Sequence, residues 1–200
     1  MKPLYINVDL DETIYPLMTG WRAWLKEKHG IDLPHEAFTD YNVGRVTGLG
    51  KKAYAYLDTI TCFEIGDPLP GSIDALEALA MAGHHIRFVT TLNSQSPWGH
   101  QNKRNWLNEH VGDRFKHRLI FVEHHEDKGH YHGDVLIDDN TDNLRSFRSF
   151  NPDGLALCHS HPWNVPGSAD PWDGLRFDTW AAVPEIIEVL LKVNAEEAAA

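Results

Sequence analysis

Asp9 and Asp11 stand two residues apart at the end of the apolar run Leu4-Tyr5-Ile6-Asn7-Val8. Such a run reads as a buried parallel strand, whose C-terminal end opens into the crevice where open α/β sheets place their active sites. Two ionised carboxylates held that close repel each other, and a bound Mg²⁺ or a shared proton relieves the repulsion. Three further features end or follow predicted strands. Thr90-Thr91 closes Ile86-Arg87-Phe88-Val89, Lys128 lies in the loop after the strand ending at Val122, and Asp138-Asp139 closes Val135-Leu136-Ile137. Together they offer a nucleophile, a general acid, a metal site and donors for phosphate oxygens, which is what phosphoryl transfer needs.

The elements that must position these residues are short apolar runs alternating with amphipathic stretches, with no internal repeat. A fifth run spans Leu155 to Cys158. Helices are predicted from about Ser72 to Ala82, with Ser72 as N-cap and Gly83 just past the end, from Ser96-Pro97 to near Gly112, and from Pro184 to Val193. Strands alternating with helices imply a parallel sheet with right-handed crossovers. The stretch from Tyr15 to Pro70 is too long for an ordinary connection and carries its own helix signals, Trp21 to His29 closed by Gly30, and Lys51 to Thr61. It reads as a small helical cap inserted after the first strand, overhanging the carboxylate pair. The expected organisation is a core of residues 1–14 and 71–194, a cap of residues 15–70 and a tail of residues 195–200.

Two hundred residues suffice for one well-buried domain with such an insertion. The formal net charge of -11, without a basic run, argues against polymeric nucleic acid and anionic membranes as partners, yet leaves room for a small anionic substrate. No apolar stretch approaches membrane-spanning length, and the chain reaches its first strand without a secretory-type leader. With Cys62 and Cys158 as the only cysteines, a reducing cytoplasm is the expected setting.

In its four motifs, DxDx(T/V), a strand-ending Thr, a Lys and a terminal acidic pair, the chain resembles the haloacid dehalogenase superfamily of phosphohydrolases. The resemblance implies a three-layer, Rossmann-like α/β core with a parallel sheet. It makes Asp9 the nucleophile that becomes an aspartyl phosphate, and Asp11 the acid that protonates the leaving alcohol and then the base that deprotonates water. Asp9, the Asp11 carbonyl, Asp138 and Asp139 would hold Mg²⁺. Thr90, preferred over its neighbour Thr91 for the motif position, would bind phosphoryl oxygens, and Lys128 would hold nucleophile and phosphate in place.

A narrower resemblance is to the 5′(3′)-deoxyribonucleotidases. It rests on Glu64-Ile65-Gly66-Asp67-Pro68-Leu69-Pro70-Gly71 ahead of the second motif, on Lys103-Arg104-Asn105-Trp106-Leu107 after it, and on Lys128 standing ten residues before Asp138. Cys158-His159-Ser160-His161 and Trp180 extend it toward the C-terminus. The chain departs from that family at Glu12-Thr13, where Gly-Val is common, at Leu17 in place of an aromatic, and at Asn140 in place of Arg. The resemblance implies a hydrolase of nucleoside 5′- or 3′-monophosphates, deoxyribonucleotides foremost, with Leu17, Tyr56, Phe63 and Thr91 around the substrate.

Other readings stay open. A phosphatase for another small metabolite would share the core and differ in the cap, and a non-catalytic module would keep the fold alone. A homodimer completing the site is left open as well. Trp21, Trp24 and Leu25 are expected to pack the cap. The histidines between Glu123 and His132 read as a solvated loop carrying Lys128, and His159-Ser160-His161-Pro162-Trp163 as a strand-end turn in preference to a ligand set.

Overall fold

The computed structural model describes residues 2–64, 66–92, 98–112, 115, 118–124 and 127–197, with side chains through residue 192. Six strands form one sheet: β1 (Tyr5–Val8), β2 (His85–Thr91), β3 (Leu119–Val122), β4 (Val135–Asp138), β5 (Leu155–His159) and β6 (Arg176–Phe177). All pairs are parallel, in the order β3-β2-β1-β4-β5-β6. The chain therefore winds outward from β1 through β2 and β3, then restarts at β4 on the other side of β1. That reversal leaves a crevice between β1 and β4 at their C-terminal ends, the position at which doubly wound sheets bind ligands.

The helices are α1 (Leu17–His29), α2 (Val43–Val46), α3 (Ser72–Met81), α4 (Gly99–His110), α5 (Asp127–His130), α6 (Thr141–Phe150) and α7 (Val183–Glu197). Helices connecting parallel strands cover the faces of the sheet, which is the expected α/β class. Three 3-10 stretches join them, His35–Ala37, Gly50–Asp58 and Trp180–Ala182. Among the described residues no helix is long and apolar enough to cross a membrane.

Several boundaries differ from expectation for local reasons. α1 begins four residues before Trp21, because Leu17 and Met18 are buried. Burying two such side chains contributes ~1.5–3 kcal/mol each, more than the ~1 kcal/mol that Gly20 costs inside a helix. The helix closes as expected at Gly30, in the left-handed conformation with φ +67°. Ser72 is not the N-cap of α3: Gly71 holds that place with φ +76°, and Ser72 is the first helical residue. The expected start of α4 at Ser96-Pro97 falls outside the described residues, and the described helix runs from Gly99. The stretch expected to be helical from Lys51 is a 3-10 helix over Gly50–Asp58, and Lys128 lies on the single turn α5 rather than in a loop.

One apolar cluster joins the sheet to the segment between β1 and α3. Ile6, Val8, Phe88 and Ile137 pack in the same cluster as Leu17, Trp21, Leu25 and Phe38. The segment is thus anchored over the C-terminal end of β1.

Candidate active site

The carboxylates at the sheet edge are placed by strand register. The Asp9 N–H donates to the Ile137 carbonyl at 2.9 Å, which continues the β1–β4 ladder by one residue and sets Asp9 beside Asp138. Carboxylate oxygens of Asp9, Asp138 and Asp139 lie within 4.8 Å of one another. All three residues are buried. Lys128 reaches in from α5, its ammonium 2.7 Å from Asp9 Oδ1 and 3.3 Å from Asp138 Oδ2.

Three buried carboxylates against one ammonium are electrostatically incomplete. Burial pushes Asp138 up to about 7. Asp139 is driven well above the usual carboxylate range by burial and then by the charges of Asp138 and Asp9. Lys128 answers in the opposite sense: burial alone would lower its ammonium pKa, yet Asp138 and Asp9 outweigh burial and raise it. The donor set is all oxygen, the kind that hard divalent cations take, so the residues fit such a cation. Their orientation is fixed from outside. Asn143 Nδ2 donates to both oxygens of Asp138 at 3.1 and 3.0 Å, and the Asn140 N–H donates to Oδ1 at 2.8 Å. Trp163 Nε1 donates to Asp139 Oδ2 at 3.0 Å.

Asp11 faces a second ammonium. Lys103 Nζ, supplied by α4, donates to Asp11 Oδ2 at 2.7 Å, to Thr90 Oγ1 at 2.7 Å and to the Thr91 carbonyl at 2.9 Å. The same group lies 4.4 Å from the centre of the Phe63 ring. Burial raises the Asp11 pKa, Lys103 opposes the rise, and Asp9 adds to it. A carboxyl held between those influences is suited to giving and taking a proton. In the sequence Lys103 stands out only within the pattern Lys103-Arg104-Asn105-Trp106-Leu107. A usable signal was present: Gly99, Asn102, Lys103, Trp106 and Leu107 form the buried face of α4, and a lysine among such positions is seldom a solvated one.

A cavity of about 420 Å³ opens beside Asp11, Lys103 and Asp139. Leu17, Phe63 and Thr91 line it, together with Met18, Trp21, Phe38, Tyr41 and Tyr54. Tyr56 does not: it is buried, its ring 5.9 Å from that of Trp21 and 6.1 Å from that of Trp24. The reason is the helix type. A 3-10 helix has about three residues per turn, so Tyr54 and Leu57 share the face that lines the cavity, and Tyr56 turns away into the packing. Trp21 both packs and lines.

The two histidine-rich stretches differ. His124, His130 and His132 are exposed, and His125 lies outside the described residues. His159 and His161 lie at the end of β5 and just after it, buried beside the loop carrying Glu12.

Comparison with known proteins follows the same line. A haloacid dehalogenase-like family hydrolase from Xanthomonas campestris superposes with a TM-score of 0.56 at 11% identity, covering 98% of this chain and 94% of its own. A protein from Burkholderia xenovorans LB400, described as a haloacid dehalogenase-like hydrolase, gives 0.57 at 14% identity, covering 90% and 97%. One from Haemophilus somnus 129PT, described as a predicted phosphoglycolate phosphatase, gives 0.55 at 15% identity, covering 92% and 97%. At such identities these likenesses establish the fold. No curated protein sequence matches the chain. The model of the family described as 5′ nucleotidase, deoxy (Pyrimidine), cytosolic type C protein matches residues 2–194. The chain therefore belongs to that family of 5′-nucleotidases, which are phosphoric monoester hydrolases.

Proposed function

We propose that this hydrolase is a Mg²⁺-dependent phosphomonoesterase of nucleoside monophosphates, deoxyribonucleotides foremost, acting in a reducing cytoplasm through a phosphoryl group carried on Asp9. Residues 15–70 act as the cap that admits the nucleoside, over a core of residues 1–14 and 71–194. The observation that carries the reading is the placement of an apolar, aromatic-lined cavity directly against Asp11, Lys103 and Asp139. A base and sugar need such a surface, and a phosphate needs such charges.

Asp9, Asp138 and Asp139, with the Asp11 carbonyl, are the residues that would hold Mg²⁺, which when bound offsets phosphate charge next to the nucleophile. A carboxylate oxygen of Asp9 attacks phosphorus and the bond to the leaving oxygen breaks, while Asp11 gives that oxygen its proton. Asp11, now ionised, takes a proton from water; the resulting hydroxide attacks phosphorus, and the bond to Asp9 breaks to release phosphate. Lys128, 2.7 Å from Asp9 Oδ1, keeps that carboxylate aimed. Thr90, or Thr91 on the cavity wall, donates to phosphoryl oxygens, and Lys103 holds Asp11 and Thr90 in one frame. Leu17 and Phe63 form the walls around the nucleoside.

The experiment is a panel of 5′ and 3′, deoxy and ribo nucleoside monophosphates against sugar phosphates, with and without Mg²⁺. Metal-dependent turnover highest on a nucleoside monophosphate is expected. A preference for sugar phosphates overturns the substrate and leaves the mechanism standing, and turnover independent of metal overturns both.

A further inference from the structure

Glu12, His35 and His161 bring a carboxylate and two imidazoles together on three separated stretches of chain, with their ligand atoms within 4.8 Å of one another. Glu12 follows β1, His161 follows β5, and His35 sits on the 3-10 turn His35–Ala37 between α1 and α2. From this convergence we propose a second metal site, for a borderline divalent ion of the Zn²⁺ class, that clasps the turn at His35 onto the core loops.

The convergence of ligand atoms carries the proposal, and hydrogen-bond geometry supports it. His161 Nε2 lies 2.6 Å from the Glu12 carbonyl oxygen. A carbonyl only accepts, so Nε2 bears the proton and Nδ1 of the neutral ring is a lone pair. Burial keeps the ring neutral, lowering its pKa well below the usual histidine value. That Nδ1 lone pair faces Glu12 Oε2 at 3.8 Å and His35 Nε2 at 3.5 Å. The facing carboxylate oxygen is also an acceptor, so two acceptors meet at His161 Nδ1 and Glu12 Oε2. A cation among the three atoms satisfies all of them at once.

The spacing fits. Ligand atoms ~2.1 Å from a tetrahedral zinc lie ~3.4 Å apart, close to the 3.5 and 3.8 Å found here. The surroundings are also those of a ligand set. Metal-bound imidazoles usually donate their other N–H to a carbonyl or carboxylate, which fixes the tautomer, and His161 does so. The other Glu12 oxygen, Oε1, accepts the Met18 N–H at 2.5 Å, so Oε2 is left aimed at the imidazoles. Glu12 keeps this pose at a φ of +52°, a region that side chains other than glycine rarely enter. Two nitrogens and one oxygen suit Zn²⁺, Co²⁺ or Ni²⁺ and not Mg²⁺, so the site is chemically distinct from the oxygen-only cluster of Asp9, Asp138 and Asp139. The two are neighbours through Trp163, whose ring stacks on His161 at 4.5 Å and 1° while its Nε1 holds Asp139.

The test is equilibrium binding of Zn²⁺ to the full chain, stripped with chelator and then kept in excess Mg²⁺, read against a chromophoric zinc chelator. One Zn²⁺ per chain is expected, with affinity falling at least ~10-fold in His35→Gln and in His161→Gln. Asp138→Asn should keep the zinc. Co²⁺ added in place of Zn²⁺ should give the visible bands of a low-coordinate site in the parent chain and in Asp138→Asn, and not in His35→Gln. His35 is only half-buried, so its variant should fold, as an unchanged near-ultraviolet spectrum would establish, and it decides the matter if His161→Gln does not fold. Absence of zinc binding in excess Mg²⁺ overturns the site, leaving a hydrogen-bonded network alone. Equal zinc binding in parent and His35→Gln, or loss of zinc only in Asp138→Asn, overturns it in favour of the carboxylate cluster. None of these readouts depends on turnover, so a failed substrate assignment would leave them intact.

Discussion

The ammonium of Lys103 lies 2.7 Å from Asp11 Oδ2 and 2.7 Å from Thr90 Oγ1, and thereby ties the Asp11 carboxyl, the proposed proton donor, to the end of β2. Neither partner is adjacent to Lys103 in sequence, and the tie depends on one buried lysine. Replacing it with methionine removes the charge and keeps the length. Lys103→Met is expected to lower kcat by ~100-fold or more, the scale of a lost positioned proton transfer, while the circular dichroism spectrum stays that of the parent. A kcat within twofold of the parent would show that Asp11 does not rely on it.

Asp9→Asn should remove turnover, by ~10⁴-fold or more, because an amide neither attacks phosphorus nor pairs with Lys128 as the 2.7 Å ion pair does. Trapping with radiolabelled substrate should leave label on the parent chain and none on the variant. Undiminished activity in Asp9→Asn would sink the covalent route.

Metal dependence has an outer-shell handle. Asn143 grips both oxygens of Asp138, and partners of that kind are typically worth about 10–100-fold in metal affinity. Chelation should abolish turnover and Mg²⁺ restore it, with Asn143→Ala needing about 10–100-fold more Mg²⁺ for half-maximal rate. An unchanged Mg²⁺ requirement would show that Asp138 is held adequately without it.

The two tyrosines of the 3-10 stretch separate cavity from packing. Tyr54→Ala should raise KM by ~10-fold with a smaller effect on kcat, the pattern of lost uniform binding. Tyr56→Phe should leave KM within about twofold, since its ring is spent on Trp21 and Trp24. The reverse ranking would put the substrate on the other face of that helix.

A pH effect on stability is expected at the C-terminal edge. Arg145 clamps Asp170 through two bonds of 2.9 and 2.8 Å, and those bonds hold the Asp170 pKa below its ordinary value. A carboxyl depressed in the folded state stabilises above its unfolded pKa and loses that contribution as pH falls through the folded one. The pair is half exposed, so the effect is at most about 1 kcal/mol. Asp170→Asn should lower Tm at neutral pH, and the difference should shrink toward zero as the parent's carboxyl protonates in acid. A Tm gap that persists in acid would assign the loss to packing.

How much of this was legible in sequence follows from which signals are one-dimensional. Buried parallel strands are continuous apolar runs, so β1, β2, β3, β4 and β5 could be read directly, and with them the strand-end positions of Asp9, Thr90 and Asp138. β6 is two residues long and carries no such run. α6 offers only Leu144 and Phe147 as a buried apolar pair. Lys103 was hidden because a lysine's default is solvent, and only its place on the inner face of α4 argues otherwise. Tyr56 is placed at the substrate only by the family resemblance, and the 3-10 winding turns Tyr54 and not Tyr56 to the cavity. Glu12 drew notice only as an unusual residue, because its partners His35 and His161 are far away in sequence.

The central position of β1 has a consequence for how the protein is made. The strand leading to Asp9 is made before the five others of its sheet, yet it pairs with β4, and Asp9 meets Asp138 only after 129 further residues have been added. At ordinary elongation rates that interval is on the order of ten seconds. Through it the strand waits with an unpaired edge, a state prone to aggregation. With Asp138 in its proposed role, a chain ending before it is expected to be inactive on phosphate esters, and the appearance of activity during synthesis would time the docking of β4 itself.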